Sequence, residues 1–117
     1  MTMGLLQMKS RIMYIELKTH DGGHDDRGPA RIGRVTFNRT GKTLQYRGKR
    51  LQKGRTAPCS NYYDVETGEG YWISGPKKNG EDRHVCGGGP VEIDEDVREE
   101  YWTEIRKQPE RVKERFT

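Results

Sequence analysis

The stretch NYYDVETGEGYWISGPKKNGEDRH, residues 61–84, carries four of the chain's ten aromatic side chains and two groups of turn-forming residues. Tyr62, Tyr63 and Val65 open a strand, Glu66-Thr67-Gly68-Glu69 turns the chain, and Tyr71, Trp72 and Ile73 return. Aromatic and β-branched residues flanking a glycine-containing turn predict an antiparallel hairpin. Gly75-Pro76 stops it, because proline has no N–H to give to a ladder, and Asn79-Gly80 suits the positive φ of a further reversal. Successive side chains of the returning strand point to opposite faces. Tyr71 and Ile73, the bulkier pair on one face, are expected inward, which leaves Trp72 at least partly exposed beside the Lys77-Lys78 turn.

Upstream, RIMYIELK (11–18) alternates Ile12, Tyr14 and Glu16 with Met13, Ile15 and Leu17, the pattern of a strand with one face fully buried and the other partly so. A loop without periodicity follows, THDGGHDDRGP. ARIGRVTF places Gly33, Val35 and Phe37 opposite Ile32, Arg34 and Thr36, NRTGK turns the chain, and TLQYRGKRLQ returns with Leu44 and Tyr46 inward. Arg47-Gly48-Lys49 reads either as a bulge or as a second tight turn. DRHV is expected to start another short strand, closed by CGGGP.

IDEDVREEYWTEIRK is the one clear helix, with Asp94 as N-cap, acids in the first turn, Arg106 and Lys107 in the last, and Val97, Tyr101 and Ile105 as its buried stripe. Pro109 ends it and opens a short second helix, from which Val112 and Phe116 make a final contact. Five or six short antiparallel strands followed by a helix give a mainly β (α+β) fold: a small antiparallel β-barrel or highly curved sheet with a C-terminal helix. The expected organisation is a flexible leader (1–10), a β-rich domain (11–93) and a C-terminal helical segment packed on the sheet (94–117).

The blocks GPARIGRVTF, TGKTLQYRGK and YYDVETGEGYWISGPKKNGEDRH resemble a family of short bacterial proteins over residues 8 to 106. That resemblance brings no established activity with it, and no functional residue is carried over from it.

With 117 residues, 30% apolar and 34% charged, the chain suits one domain with a modest core. No apolar run approaches the roughly 20 residues that span a bilayer, and the apolar stretch of the leader is too short for a signal peptide, so a cytoplasmic protein without a membrane partner is expected. Cys59 and Cys86 are 27 positions apart, with no CxxC and no second pair, and are expected as free thiols.

Charge gives the strongest functional signal. Residues 27 to 55 hold ten Arg or Lys and no Asp or Glu, whereas residues 61 to 117 hold nine basic and fourteen acidic side chains. A basic two-stranded ribbon can neutralise phosphates through Arg34, Arg47, Lys49, Arg50 and Lys53, with Tyr46 as a stacking face for an unpaired base and Trp72, Lys77 and Lys78 as a second contact, which points to RNA or DNA. The rival partner is a protein or a second copy of this chain, held by Glu99, Glu100 and Glu104 around an exposed Trp102 off the helix stripe; the alternative is that Trp102 packs on the barrel and the acids are a solvated helix face. Two sets of residues suggest catalysis or metal binding: Asp82, His84 and Cys86, alternating in an extended segment, and the loop carrying His20, Asp21, His24, Asp25 and Asp26. Neither comes with an oxyanion hole or constrained ligand geometry, and GPKKNG lacks the strand-loop-helix frame of a P-loop, so no catalytic residue, metal or cofactor is assigned.

Overall fold

The computed structural model describes residues 9–18, 28–57, 59–83 and 89–117. Among the described residues seven strands make one sheet: β1 (Lys9–Lys18), β2 (Ala30–Phe37), β3 (Thr43–Tyr46), β4 (Lys49–Lys53), β5 (Tyr62–Asp64), β6 (Gly70–Ser74) and β7 (Val91–Ile93). The first six pair antiparallel in chain order, and β1 closes them into a barrel by pairing with β2 on one edge and β6 on the other. The expected small β-barrel with a helical C-terminus is therefore the fold.

Two corrections follow from the ladder. β1 starts at Lys9, opposite Phe37, so Lys9 and Ser10 belong to the barrel and not to a leader. β7 is a seventh strand and runs parallel to β2, with Ala30 opposite Val91 and Ile32 opposite Ile93. The second edge of β2 is thus divided, with Thr36 and Phe37 pairing β3 and Ala30, Arg31 and Ile32 pairing β7. A gap opens between β3 and β7.

Alternation along β1 explains how so apolar-poor a chain builds two cores. Met13 and Ile15 point into the barrel with Val35, Leu44, Tyr46, Leu51, Tyr62, Tyr71 and Ile73. Ile12 and Tyr14 point out and, with Ala30, Ile32, Val91 and Ile93, are covered by Val97, Tyr101 and Trp102 of the helical segment. Burying both faces of one strand removes more apolar area from water than a one-faced sheet of this length can. Tyr71 and Ile73 are inward as expected, and half-buried Trp72 packs against the outer core.

The helix itself differs from the expected regular one. A 3₁₀ turn (Glu95–Val97) leads into one α-turn (Arg98–Glu100) and then a π-helical stretch (Tyr101–Ile105), in which Arg106 N donates to Tyr101 O at 3.0 Å. The wider π-turn brings Tyr101 and Trp102, both fully buried, onto the barrel together, their rings edge-to-face with centroids 5.2 Å apart. Trp102 is accordingly a core residue and not the exposed anchor that its place off the Val97-Tyr101-Ile105 stripe suggested. Beyond it the chain returns to the sheet, where Ile93 N donates to Arg115 O and Thr117 N to Val91 O. Phe116 is 45% exposed, so of the two expected terminal contacts only Val112 packs on the core.

Candidate functional site

The β3–β4 hairpin carries most of the expected interface. Its turn is tight: Arg47 and Gly48 both have positive φ (48° and 80°) between the paired residues Tyr46 and Lys49, which makes a two-residue turn of the mirror-image type favoured in hairpins. The bulge alternative is thereby excluded.

At this end the hairpin meets the gap between β3 and β7. Tyr46 is buried, and its hydroxyl donates to Asp94 Oδ2 at 2.5 Å; Arg31 Nε and Arg47 Nη1 donate to Asp94 Oδ1 at 2.5 and 3.3 Å. Asp94 makes no side-chain cap to the helix that follows it, so the expected N-cap serves instead as the tie that fastens β7 to β2 and β3. Burial, reinforced by the Asp94 carboxylate, pushes the Tyr46 phenol well above its ordinary value and keeps it a donor. A glycine is needed beside this pair: a Cβ at Gly33 would lie 2.6 Å from Tyr46 Cε1 and 2.8 Å from its hydroxyl oxygen. Arg31, Arg34, Arg47, Arg98 and Arg115 surround the resulting open cleft of about 910 Å³, interleaved with Glu92, Asp94, Glu95 and Asp96. Its charges largely offset one another, and Asp94 already accepts from three donors.

Several expected contacts are therefore already committed within the chain. Tyr46 cannot offer a stacking face, because its ring is buried. Arg34 pairs with Glu100 at 2.6 Å, Arg47 with Asp94, and Lys49 lies 3.9 Å from Asp64. Arg39, Lys42, Arg50, Lys53 and Arg55 are exposed, and none has a carboxylate partner among the described residues. Sequence reasoning singles out Arg50 and Lys53 of these; it passes over Arg39, Lys42 and Arg55.

Lys42 and Lys53 face each other at the open end of the hairpin. Lys53 N donates to Lys42 O at 2.7 Å, and the β3–β4 register, with Thr43 opposite Gln52 and Leu44 opposite Leu51, places Lys42 across from Lys53. Tyr62, which pairs with Lys53, donates its hydroxyl to Gly41 O at 3.0 Å and so ties the β2–β3 loop to β5. Two lysines directly opposite each other destabilise a sheet. Arg39, in the same β2–β3 loop, and Arg55, just beyond β4, add to the local excess.

Trp72, Lys77 and Lys78 do not join this group. Trp72 faces the outer core. Lys77 and Lys78 are exposed, with Lys77 N held by Asp82 Oδ1 at 2.6 Å, and Lys78 lines a groove with Arg11, Arg34, Glu100 and Glu104. Asp82 is itself buried, which raises its carboxyl above the ordinary value. His84, Cys86 and the 20–26 loop lie outside the described residues. Among the described residues no group of three or more His, Cys, Asp or Glu is placed to hold a metal, and no helix is long and apolar enough to cross a membrane.

A second buried charge cluster lies on the outer face of β1, where Glu16 accepts from the Tyr14 hydroxyl and pairs with Lys18 at 2.5 Å and Arg83 at 3.3 Å. Sequence alternation places Glu16 on this face but does not show that two cations and a phenol follow it inside. No protein-family model, curated protein or solved structure matches this chain.

Proposed function

We propose that the protein is a binding module for RNA or DNA that grips the phosphate backbone at the open end of the β3–β4 hairpin. The observation that carries this reading is the cross-strand placement of Lys42 against Lys53, with Arg39 and Arg55 close to them in sequence and no acid anywhere between residues 27 and 55. The repulsion between these cations disfavours the free fold, and a bound phosphate relieves it while releasing counterions. Arg34 of β2 and Arg47 of the hairpin turn pair with Glu100 of the helical segment and with Asp94 just after β7, and so serve the barrel's shape and not its ligand.

Fluorescence anisotropy with labelled oligonucleotides over a salt series tests this. Binding should weaken linearly in log–log form as salt rises, and K42E/K53E should abolish it at moderate salt, the slope falling by about 0.7 for each single-strand phosphate that is no longer neutralised. Lys113→Glu, an exposed charge on the C-terminal segment, should leave binding almost unchanged. Absence of salt-dependent binding by the wild type at low ionic strength, or equal effects of the two charge changes, would overturn the proposal.

A further inference from the structure

The outer face of β3–β4–β5 has no role in either core. Leu44, Tyr46, Leu51 and Tyr62 point inward, so alternation places Thr43, Gln45, Arg50, Gln52 and Tyr63 on the opposite face. Gln45, Arg50 and Gln52 are exposed and Tyr63 is half-buried. The register sets Thr43, Gln52 and Tyr63 side by side across the three strands, with Gln45 opposite Arg50. The sheet beyond them is covered: Ala57 and Ser60 close over Gly70, where a Cβ would lie 2.9 Å from each of their Cβ atoms. That cover ends at Tyr63, whose ring edge rests on the backbone of Gly54, and Arg55 comes next in the chain. The Tyr63 hydroxyl, like that of Tyr71 inside the barrel, has no hydrogen-bond partner among the described residues, whereas those of Tyr14, Tyr46, Tyr62 and Tyr101 do; of the two, Tyr63 is the one on the outer face.

We infer that the nucleic acid is taken as an unpaired strand, with a base stacked on Tyr63 and its edge met by Gln52 and Arg50. This inference rests on the backbone-gripping role of the hairpin end proposed above. Lys53, next to Gln52 in β4, sends its side chain to the other face of the strand, so phosphate and base contacts lie on the two sides of one rim of the barrel. Neighbouring strands are about 4.8 Å apart, which puts Tyr63, Gln52 and the lysine pair within the span of a nucleotide or two. An aromatic ring in a sheet can stack only on a base that has left its duplex partner, and it does so with little regard to sequence. An amide and a guanidinium beside the ring add edge contacts to the exposed base. The uncovered face has no acid on β3 or β4; Glu66 borders it only at the turn end beside Gln45 and Arg50, away from the Lys42–Lys53 end.

The test uses the full chain with oligothymidylate, oligouridylate, a duplex of matched length and an abasic oligonucleotide, at one fixed salt concentration and then over a salt series. The wild type should prefer the unpaired strands to the duplex by at least about fivefold, the lower share that a single stack provides. Tyr63→Ala should weaken binding to the unpaired strands by roughly five- to a hundredfold, with an unchanged salt slope and unchanged binding to the abasic strand. Tyr63→Phe should bind as the wild type does. Tyr63→Leu, which preserves an apolar contact with Gly54 but has no ring, separates stacking from folding and should behave as the alanine variant does. Equal binding of duplex and single strand, or wild-type binding by Tyr63→Leu, would overturn the inference while leaving the hairpin grip intact. Loss of all binding by the wild type would instead remove the proposal on which it rests.

Discussion

The Tyr46 hydroxyl and the Asp94 carboxylate, 48 positions apart in sequence, meet at 2.5 Å across the gap between β3 and β7. Tyr46→Phe keeps the ring in the barrel and removes only the donor. The Asp94 oxygen then faces a buried, partly unsatisfied environment, and the expected cost is about 1–3 kcal/mol of unfolding free energy. Urea titration followed by tryptophan fluorescence measures it. A stability equal to that of the wild type would show that Arg31 and Arg47 alone suffice to hold β7.

Gly33 tests the same junction from the other side. Alanine there places a methyl group against the Tyr46 ring and hydroxyl, with Asp94 Oδ2 closer still. Gly33 pairs Met13 of β1 on one edge and faces the gap between β3 and β7 on the other, so the methyl group is accommodated only if the Tyr46 and Asp94 side chains move apart or β2 shifts against its β1 pairing. The expected loss is roughly 1–3 kcal/mol, in the range of overpacked cores. Combined with Tyr46→Phe, the cost should be less than additive, because removing the hydroxyl vacates part of the space that the methyl needs. Urea midpoints of the two single variants and the double variant check this, and strict additivity would mean that the methyl and the hydroxyl do not compete.

Much of the barrel is legible in the sequence because its strands obey a period of two and its turns carry glycine. The inward placement of Leu44 and Tyr46 follows from alternation, and that of Tyr71 and Ile73 from alternation together with the bulk of the pair. What stays hidden depends on partners far away in sequence. Arg47 is an unusual residue at a left-handed turn position, so the sequence leaves bulge and two-residue turn open, and without the turn the register that sets Lys42 against Lys53 is out of reach. Tyr46 looks like a stacking residue because nothing local to it reveals Asp94. Trp102 lies off a stripe that assumes 3.6 residues per turn, and the π-helical stretch rotates it into the core.

Trp102 should therefore behave as a stability determinant. It is fully buried, its indole N–H donates to Glu114 O at 2.9 Å, and the guanidinium carbons of Arg106 and Arg111 lie 4.9 and 4.2 Å from its ring centroid. Trp102→Ala should cost roughly 3–5 kcal/mol and free the terminal residues that pair with β7. Half-buried Ile105 should lose less on truncation than the roughly 2–5 kcal/mol of a fully enclosed site. Thermal melts of the two variants give the ranking, and a smaller loss at Trp102 than at Ile105 would contradict this packing.

Asp82 supplies a pH signature. Its Oδ1 accepts from Lys77 N, its Oδ2 has no hydrogen-bond partner among the described residues, and burial raises its carboxyl above the ordinary value against the opposing pull of the Lys77 N–H and the charges of Lys77 and Arg106. The folded protein thus holds this proton more tightly than the unfolded chain does. Between the unfolded value and the raised folded value the native state binds more protons, so this group's contribution makes stability fall as pH rises, and the loss is complete above the folded value. Glu92 and Glu114, whose carboxyls are lowered chiefly by hydrogen bonds from Arg115 and Arg111, act in the opposite sense. Asp82→Asn keeps an oxygen for Lys77 N and removes the titration, while Glu92 and Glu114 remain in both proteins and cancel in the comparison. The melting temperature of Asp82→Asn relative to the wild type should therefore climb as pH rises out of the carboxylate range and then level off. Asp82→Ala, which also loses the Lys77 contact, should lie below Asp82→Asn at every pH. A difference between Asp82→Asn and the wild type that is flat with pH would mean that Asp82 ionises in the folded protein as readily as in the unfolded one.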